Sequence, residues 1–129
     1  MLSFQKFLRS FVFAFRGLIY GLRTERNLKV HGLATIVVVL AGFYFHLSSF
    51  EWLIIILCIG LIFSAELINS SIENIANVLK LKFKLGYDDT TNMRNLAAAA
   101  VLVLAIASFI VGLIIFVPKL TALLFVVTK

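Results

Sequence analysis

The spacing of apolar and polar positions divides the chain into four helical segments. Residues 2–23 alternate Phe and Leu with widely spaced charges. On a 3.6-residue helix Lys6, Arg9, Arg16 and Arg23 share a stripe roughly 100° wide, while Phe4, Phe7, Phe11 and Phe15 spread over the remainder. That pattern predicts an amphipathic helix in a membrane interface, either a plain anchor or the roof of a site there. From Leu28 to Leu47 the only ionisable groups are Lys29, His31 and His46, all near the ends, and the stretch matches the ~20 residues needed to cross a bilayer core. A second span, 52–76, opens at Trp52, stays apolar through Phe63, and then meets Ser64, Glu66, Asn69, Ser70, Ser71 and Glu73. Residues 77–95, with their Lys, Asp, Thr and Asn and with Gly86, read as a polar connection. Residues 96–117 supply a third span ended by Pro118. Ala97 to Ala100 would allow close backbone approach at its start. Beyond Pro118 the pattern leaves two paths open, a continued helix or a segment on the interface.

Composition turns this pattern into a class. The chain is 62% hydrophobic, against roughly 45–50% in ordinary soluble domains, so an all-α integral membrane protein is expected, one membrane domain over 1–129. Three spans enclose too little interior to hide several carboxylates from lipid, which points to a homo-oligomer. Cys58 is the single cysteine and sits in an apolar run, so one chain can assemble neither a disulfide nor a thiolate metal site. It reads as a small buried hydrophobe. The net charge of +6 is also placed unevenly. Lys6 to Lys29 precede the first span, Lys80, Lys82, Lys84 and Arg94 lie between the second and third, and 46–51 holds no Lys or Arg. The positive-inside rule then puts the amino terminus and the second loop in the cytoplasm and the first loop outside. These cations border spans and lack a soluble recognition element, so they read as contacts to anionic lipid rather than to nucleic acid. No cleavable signal is expected, because the first residues lack a continuous apolar core ending in small residues.

The chemistry concentrates on the second span. At 100° per residue Glu66, Asn69, Glu73 and Asn77 fall at about 0°, 300°, 340° and 20°, on one helix face. Carboxylates at membrane depth are costly, normally face a bundle interior and mark functional sites; the bland alternative is an interhelix hydrogen-bond network. A hard cation such as Mg²⁺ is typically held by one or two carboxylates plus substrate phosphates, which Glu73 and a second acid could provide. The deeper Glu66 could take a proton from a lipid hydroxyl. Glu25, between the surface helix and the first span, is the candidate second acid; read blandly, it is a solvated side chain paired with Arg23 or Arg26. His31 and His46 are expected to face interfaces rather than ligate metal, and Glu51 to be solvated at the outer boundary.

The stretch from Ala65 to Glu73, with its Glu-x-x-Asn-x-x-Ile-Glu pattern, combines with Thr24-Glu25-Arg26-Asn27 and with Arg94-Asn95-Leu96-Ala97-Ala98. Over about residues 10–117 the chain resembles the small bacterial diacylglycerol kinase and undecaprenol kinase family. Gly17 and Glu51-Trp52-Leu53 look like its Gram-positive and Bacteroidetes-type members. The resemblance implies a homotrimer of three-span subunits in the bacterial cytoplasmic membrane, with composite active sites between subunits at the cytoplasmic interface. It implies transfer of the ATP γ-phosphate to a lipid alcohol, undecaprenol or diacylglycerol, without a P-loop, and this chain has no Gly-x-x-x-x-Gly-Lys-Ser/Thr element. It implies Glu66 as general base, Glu25 and Glu73 as holders of Mg²⁺ and thereby ATP, Asn69 orienting groups around the transferring phosphate, and Asn77, Arg94 and Asn95 on the nucleotide side.

The departures lie on that nucleotide side. Asn77 stands where members of the family usually have Asp, and Arg94-Asn95 where they usually have Lys-Asp. Arg still offers a fixed cation, though its planar fork does not reproduce an ammonium. Between Asn77 and Arg94 the connection is about three residues longer than is usual in the family, with Gly86-Tyr87-Asp88 the nearest remnant of its Glu-Tyr-His segment, and Asp88 or Asp89 could compensate for the lost acids. Two other classes of function therefore stand beside the kinase. One is a catalytically impaired homologue acting as a lipid-binding or scaffolding protein, and the other a small channel or transporter subunit with acids along a cation path.

Overall fold

Four helices and no strand make up residues 4–128, the part of the chain that the computed structural model describes. They are α1 (Phe4–Thr24), α2 (Arg26–Tyr44), α3 (Ser49–Phe83) and α4 (Asp88–Val127). Residues 2 and 3 of the expected surface helix lie outside the described residues. As the hydropathy pattern requires, α2, α3 and α4 are each long and apolar enough to cross a membrane, and α1, with its stripe of cations, is not.

The helices outrun the apolar segments. At 1.5 Å per residue the 35 residues of α3 extend about 52 Å and the 40 of α4 about 60 Å, against a hydrocarbon core of about 30 Å. The polar stretch 77–95 is thus not an open connection: α3 continues through it to Phe83, α4 begins at Asp88, and only residues 84–87 join them. Lys84 closes α3 in the left-handed conformation, with φ 54°. Nor does Pro118 end the last helix, which runs on to Val127 with the proline inside it. Pro118 gives no N–H to the carbonyl one turn earlier, a loss that helices in lipid absorb when neighbouring groups adjust. The Thr121 hydroxyl donates to the Pro118 carbonyl at 2.9 Å.

α3 is the organising helix. It packs along α4 for much of its length, against α2 over a shorter contact, and α1 leans on both α2 and α3. Large apolar side chains such as Leu40, Ile56, Val103 and Phe109 remain exposed on the outer faces, the surface that lipid or another protein must cover.

The α2–α3 turn forms one end of the bundle, the hairpin end. His46 takes the left-handed position that usually falls to glycine (φ 49°), so that Leu47 N–H reaches the Gly42 carbonyl at 3.0 Å and His46 N–H the Phe43 carbonyl at 3.2 Å. Ser48 then caps α3 reciprocally: its hydroxyl accepts from Glu51 N–H, and its own N–H donates to the Glu51 carboxylate at 2.7 Å. Lys119 of α4 reaches the same carboxylate at 3.0 Å. Glu51 therefore has a structural partner on α4 where mere solvation was expected. Below it Leu47, Ile55 and Ile115 form a buried cluster joined by Val38, Trp52 and Phe116. The Trp52 ring lies so close to Gly42 that a Cβ there would stand 2.7 Å from it.

Candidate active site

From the middle of α3 towards its other end, which residues 84–87 join to α4, the interior turns polar. The spacing of 3 and 4 residues brings Glu66, Asn69 and Glu73 to one face of α3, as the periodicity predicts, and that face borders a cleft of about 330 Å³ between α2, α3 and α4. Asn27, Val30 and His31 form its α2 wall, and Ala98, Val101, Leu102 and Ala105 its α4 wall. The alanine run divides its work: Ala97 is buried towards α3, whereas Ala98 opens the cleft wall.

Glu66 and Asn69 are almost fully enclosed, with 2% and 4% of their surfaces exposed. The Asn69 amide donates to Glu73 Oε1 at 3.1 Å, one turn further along the helix, and its own Oδ1 has no partner. Glu66 Oε1 faces His31 Nε2 at 3.4 Å, and Glu66 Oε2 likewise has none. Buried acceptors without partners are uncommon, because each forfeits its hydration for nothing in return. Glu66 Oε2 and Asn69 Oδ1 are two such acceptors, on residues that line one cleft.

The nucleotide-side candidates gather at the end of the bundle, not in this cleft. Arg94 of α4 donates from Nη2 to Asn77 Oδ1 on α3 at 3.0 Å and from Nε to the Thr90 hydroxyl at 3.2 Å. Its guanidinium lies 5.4 Å from the centre of the Tyr87 ring, against which Lys80 also rests at 5.7 Å. Asn77 thus serves as a neutral acceptor that ties α3 to α4. Asn95 is exposed. Asp89 accepts from Gly86 N–H at 2.7 Å and so shapes the short connection.

Glu25 sits elsewhere. It is the extended residue between α1 and α2, and it lines a second cleft, of about 310 Å³, with Gly17 and Tyr20 of α1 and Ser70, Ser71 and Asn74 of α3. Those α3 residues lie on a different face from Glu66 and Glu73. Within one chain the two expected metal carboxylates therefore border separate clefts. Among the described residues no three His, Cys, Asp or Glu side chains converge as a ready-made cage. The bland alternative for Glu25, a solvated side chain paired with a neighbouring arginine, finds no such pair among the described residues, where Glu51 pairs with Lys119 and the His31 ring lies beside Glu66.

His31 is the residue that spacing alone did not reveal. Its contact with Glu66 joins two helices across 35 positions of sequence, and helical periodicity reports only neighbours on one helix. A usable signal was there: His31 follows Asn27 by one turn, and the two share the face of α2 that lines the cleft.

Comparisons with known proteins identify relatives of the chain. The family model described as prokaryotic diacylglycerol kinase matches residues 12–116. An undecaprenol kinase of Bacillus subtilis is 43% identical over 115 residues, 89% of this chain and 91% of that protein. A diacylglycerol kinase of Synechocystis is 31% identical over 116 residues, 89% of this chain and 65% of that protein. No solved structure gives a significant match.

Proposed function

Because the chain belongs to the prokaryotic diacylglycerol kinase family and is an ATP-dependent lipid kinase, we propose that it phosphorylates the terminal hydroxyl of undecaprenol, with diacylglycerol as the second acceptor to test. The Bacillus subtilis relative, which is named for undecaprenol, supports that order. One observation carries the assignment of roles: Glu66 Oε2 is buried, without a partner, on the wall of a cleft shared with Glu73.

In this reading the lipid hydroxyl enters the cleft between α2 and α4 and gives its proton to Glu66 Oε2. The freed oxygen electron pair attacks the γ-phosphorus in line, the bond to the bridging oxygen breaks, and ADP leaves. Phosphoryl transfer asks chiefly for positioning and charge neutralisation. Asn69 is fixed by its bond to Glu73 and keeps a free acceptor, Oδ1, while Arg94, at the end of the bundle, supplies a fixed cation for the nucleotide. The donor set fits Mg²⁺, since Glu73 spends one carboxylate oxygen on Asn69 and retains the other, and a hard cation needs only one or two protein carboxylates beside the phosphates. Glu73 and Glu25 would hold it, and when bound it neutralises charge on the transferring phosphate. Since Glu25 and Glu73 border separate clefts in one chain, Glu25 is supplied by a neighbouring copy in a homotrimer. The uneven distribution of Lys and Arg supports an orientation with the amino terminus and this site on the cytoplasmic side, where nucleotide is available.

The test is direct. Purified protein in lipid nanodiscs, given radiolabelled ATP with undecaprenol or dioleoylglycerol, should label lipid in the presence of Mg²⁺ and not in excess EDTA, and undecaprenol should label more strongly. Equal or stronger labelling of dioleoylglycerol would reverse the acceptor assignment, and no labelled lipid from any alcohol would remove the kinase reading altogether.

A further inference from the structure

The proposed mechanism leaves two polar side chains of the cleft, Asn27 and His31, without a role, and of these His31 meets Glu66. His31 projects from α2 into the cleft, half-buried, with Nε2 3.4 Å from Glu66 Oε1. Thr35, one turn on, gives its hydroxyl to the His31 backbone carbonyl at 2.8 Å, so that segment of α2 is tied to itself and the ring is the only part of His31 that crosses to α3. We propose that His31 is the positioning residue for Glu66: its Nε2–H holds Oε1 and thereby aims Oε2, the free oxygen, at the substrate hydroxyl. The proposal rests on the kinase reading and deepens it.

The physical case begins with the carboxylate. Glu66 is 2% exposed, has no backbone N–H or arginine in reach among the described residues, and still must be a competent base. A terminal carboxylate turns freely about its last bond, and its two oxygens are equivalent until something distinguishes them. A donor on one oxygen does so. The imidazole donates from Nε2 whether it is neutral in that tautomer or protonated. At 3.4 Å the contact is long for a hydrogen bond, as is usual for such pairs in sites without substrate, where geometry tightens on binding. Proton flow then balances: the hydroxyl O–H bond breaks, the proton passes to Oε2, and His31 keeps its own proton on Nε2 throughout. A second arrangement, in which His31 merely pins α2 to α3, predicts a different result. It would lower stability and leave the chemical step of the folded protein alone.

Two substitutions and one spectrum separate these possibilities. His31→Leu preserves bulk and removes the donor; His31→Gln returns an N–H to nearly the position of Nε2. For protein that elutes as the wild type does, His31→Leu should lower kcat for lipid phosphorylation at least tenfold with KM for ATP within twofold, and His31→Gln should recover a third or more of the wild-type kcat. A kcat for His31→Leu within twofold of wild type overturns the proposal, as does a Gln variant no better than Leu. The imidazole ¹⁵N signals of His31 provide a readout independent of turnover. They should move on Glu66→Gln while those of His46 stay, and His31 signals indifferent to Glu66→Gln overturn the contact itself. Wild-type protein that labels no lipid defeats the kinase reading and this role with it, whereas an active wild type with a fully active His31→Leu variant defeats this role alone.

Discussion

At the hairpin end Trp52 lies against Gly42, Ser48 and Glu51 cap each other, and Lys119 completes the carboxylate; in the other half, which begins midway along α3, Glu66 Oε2 and Asn69 Oδ1 are buried with nothing to bond among the described residues. Both ends use the same three long helices. Where a membrane protein only needs to hold together, its polar atoms find partners within the chain and the remaining space is filled with Leu, Ile and aromatic rings. Where acceptors are left over, the chain is arranged for something it does not itself contain. The difference is thus one of satisfaction rather than of polarity, since each end carries a glutamate and a cation.

Four changes probe that contrast. The largest effect should come from Glu66→Gln, which leaves the shape of the cleft intact but removes the proposed base: lipid phosphorylation should fall about 10²–10⁴-fold, while the thermal midpoint in detergent stays or rises, because a carboxyl group at membrane depth is costly to bury. A matching loss of stability would mean that the two ends do not divide their labour. Gly42→Ala should do the reverse. With the Trp52 ring 2.7 Å from the new methyl, overpacking should cost about 1–3 kcal/mol on a denaturation curve, with near-normal kcat for whatever remains folded. Arg94→Ala frees Asn77 and Thr90 and should raise KM for ATP about tenfold, the equivalent of about 1.4 kcal/mol for one charge-assisted contact, leaving affinity for the lipid alcohol unchanged. The smallest change is His46→Gly, which relieves a left-handed residue (φ 49°) and should stabilise the hairpin end by about 1 kcal/mol at most, without touching activity.

Much of this division could be read in the sequence, and the failures have a common cause. Hydropathy located the three crossing helices because burial in lipid demands long apolar runs, and the Glu66, Asn69 and Glu73 face followed from helical geometry alone. The same reasoning stopped the helices where apolar residues stop, near Ala76 and Leu96, whereas the backbone continues to Phe83 and from Asp88, and of the two paths left open beyond Pro118 the chain takes the continued helix, to Val127. Hydropathy reports what surrounds a helix; the hydrogen-bond ladder decides where it ends, and Lys, Asp and Thr sustain that ladder well enough in water. The His31–Glu66 contact escaped because it links two helices. Glu25 and Glu73 share a helical end of the molecule in sequence terms, yet α3 keeps them on different clefts, a separation that only three dimensions reveal.

The Arg94–Asn77 bond gives the substitutions on the nucleotide side another meaning. An aspartate at position 77 would grip a cation and cancel most of its field; the amide holds the guanidinium in place at the same distance and takes none of its charge away. A polyanion approaching from solution would meet an anchored arginine at full strength, preset by a neutral tether instead of quenched by a rival anion. On the proposed reading, the missing carboxylate is a gain in attraction for a triphosphate as much as it is the loss of an acid.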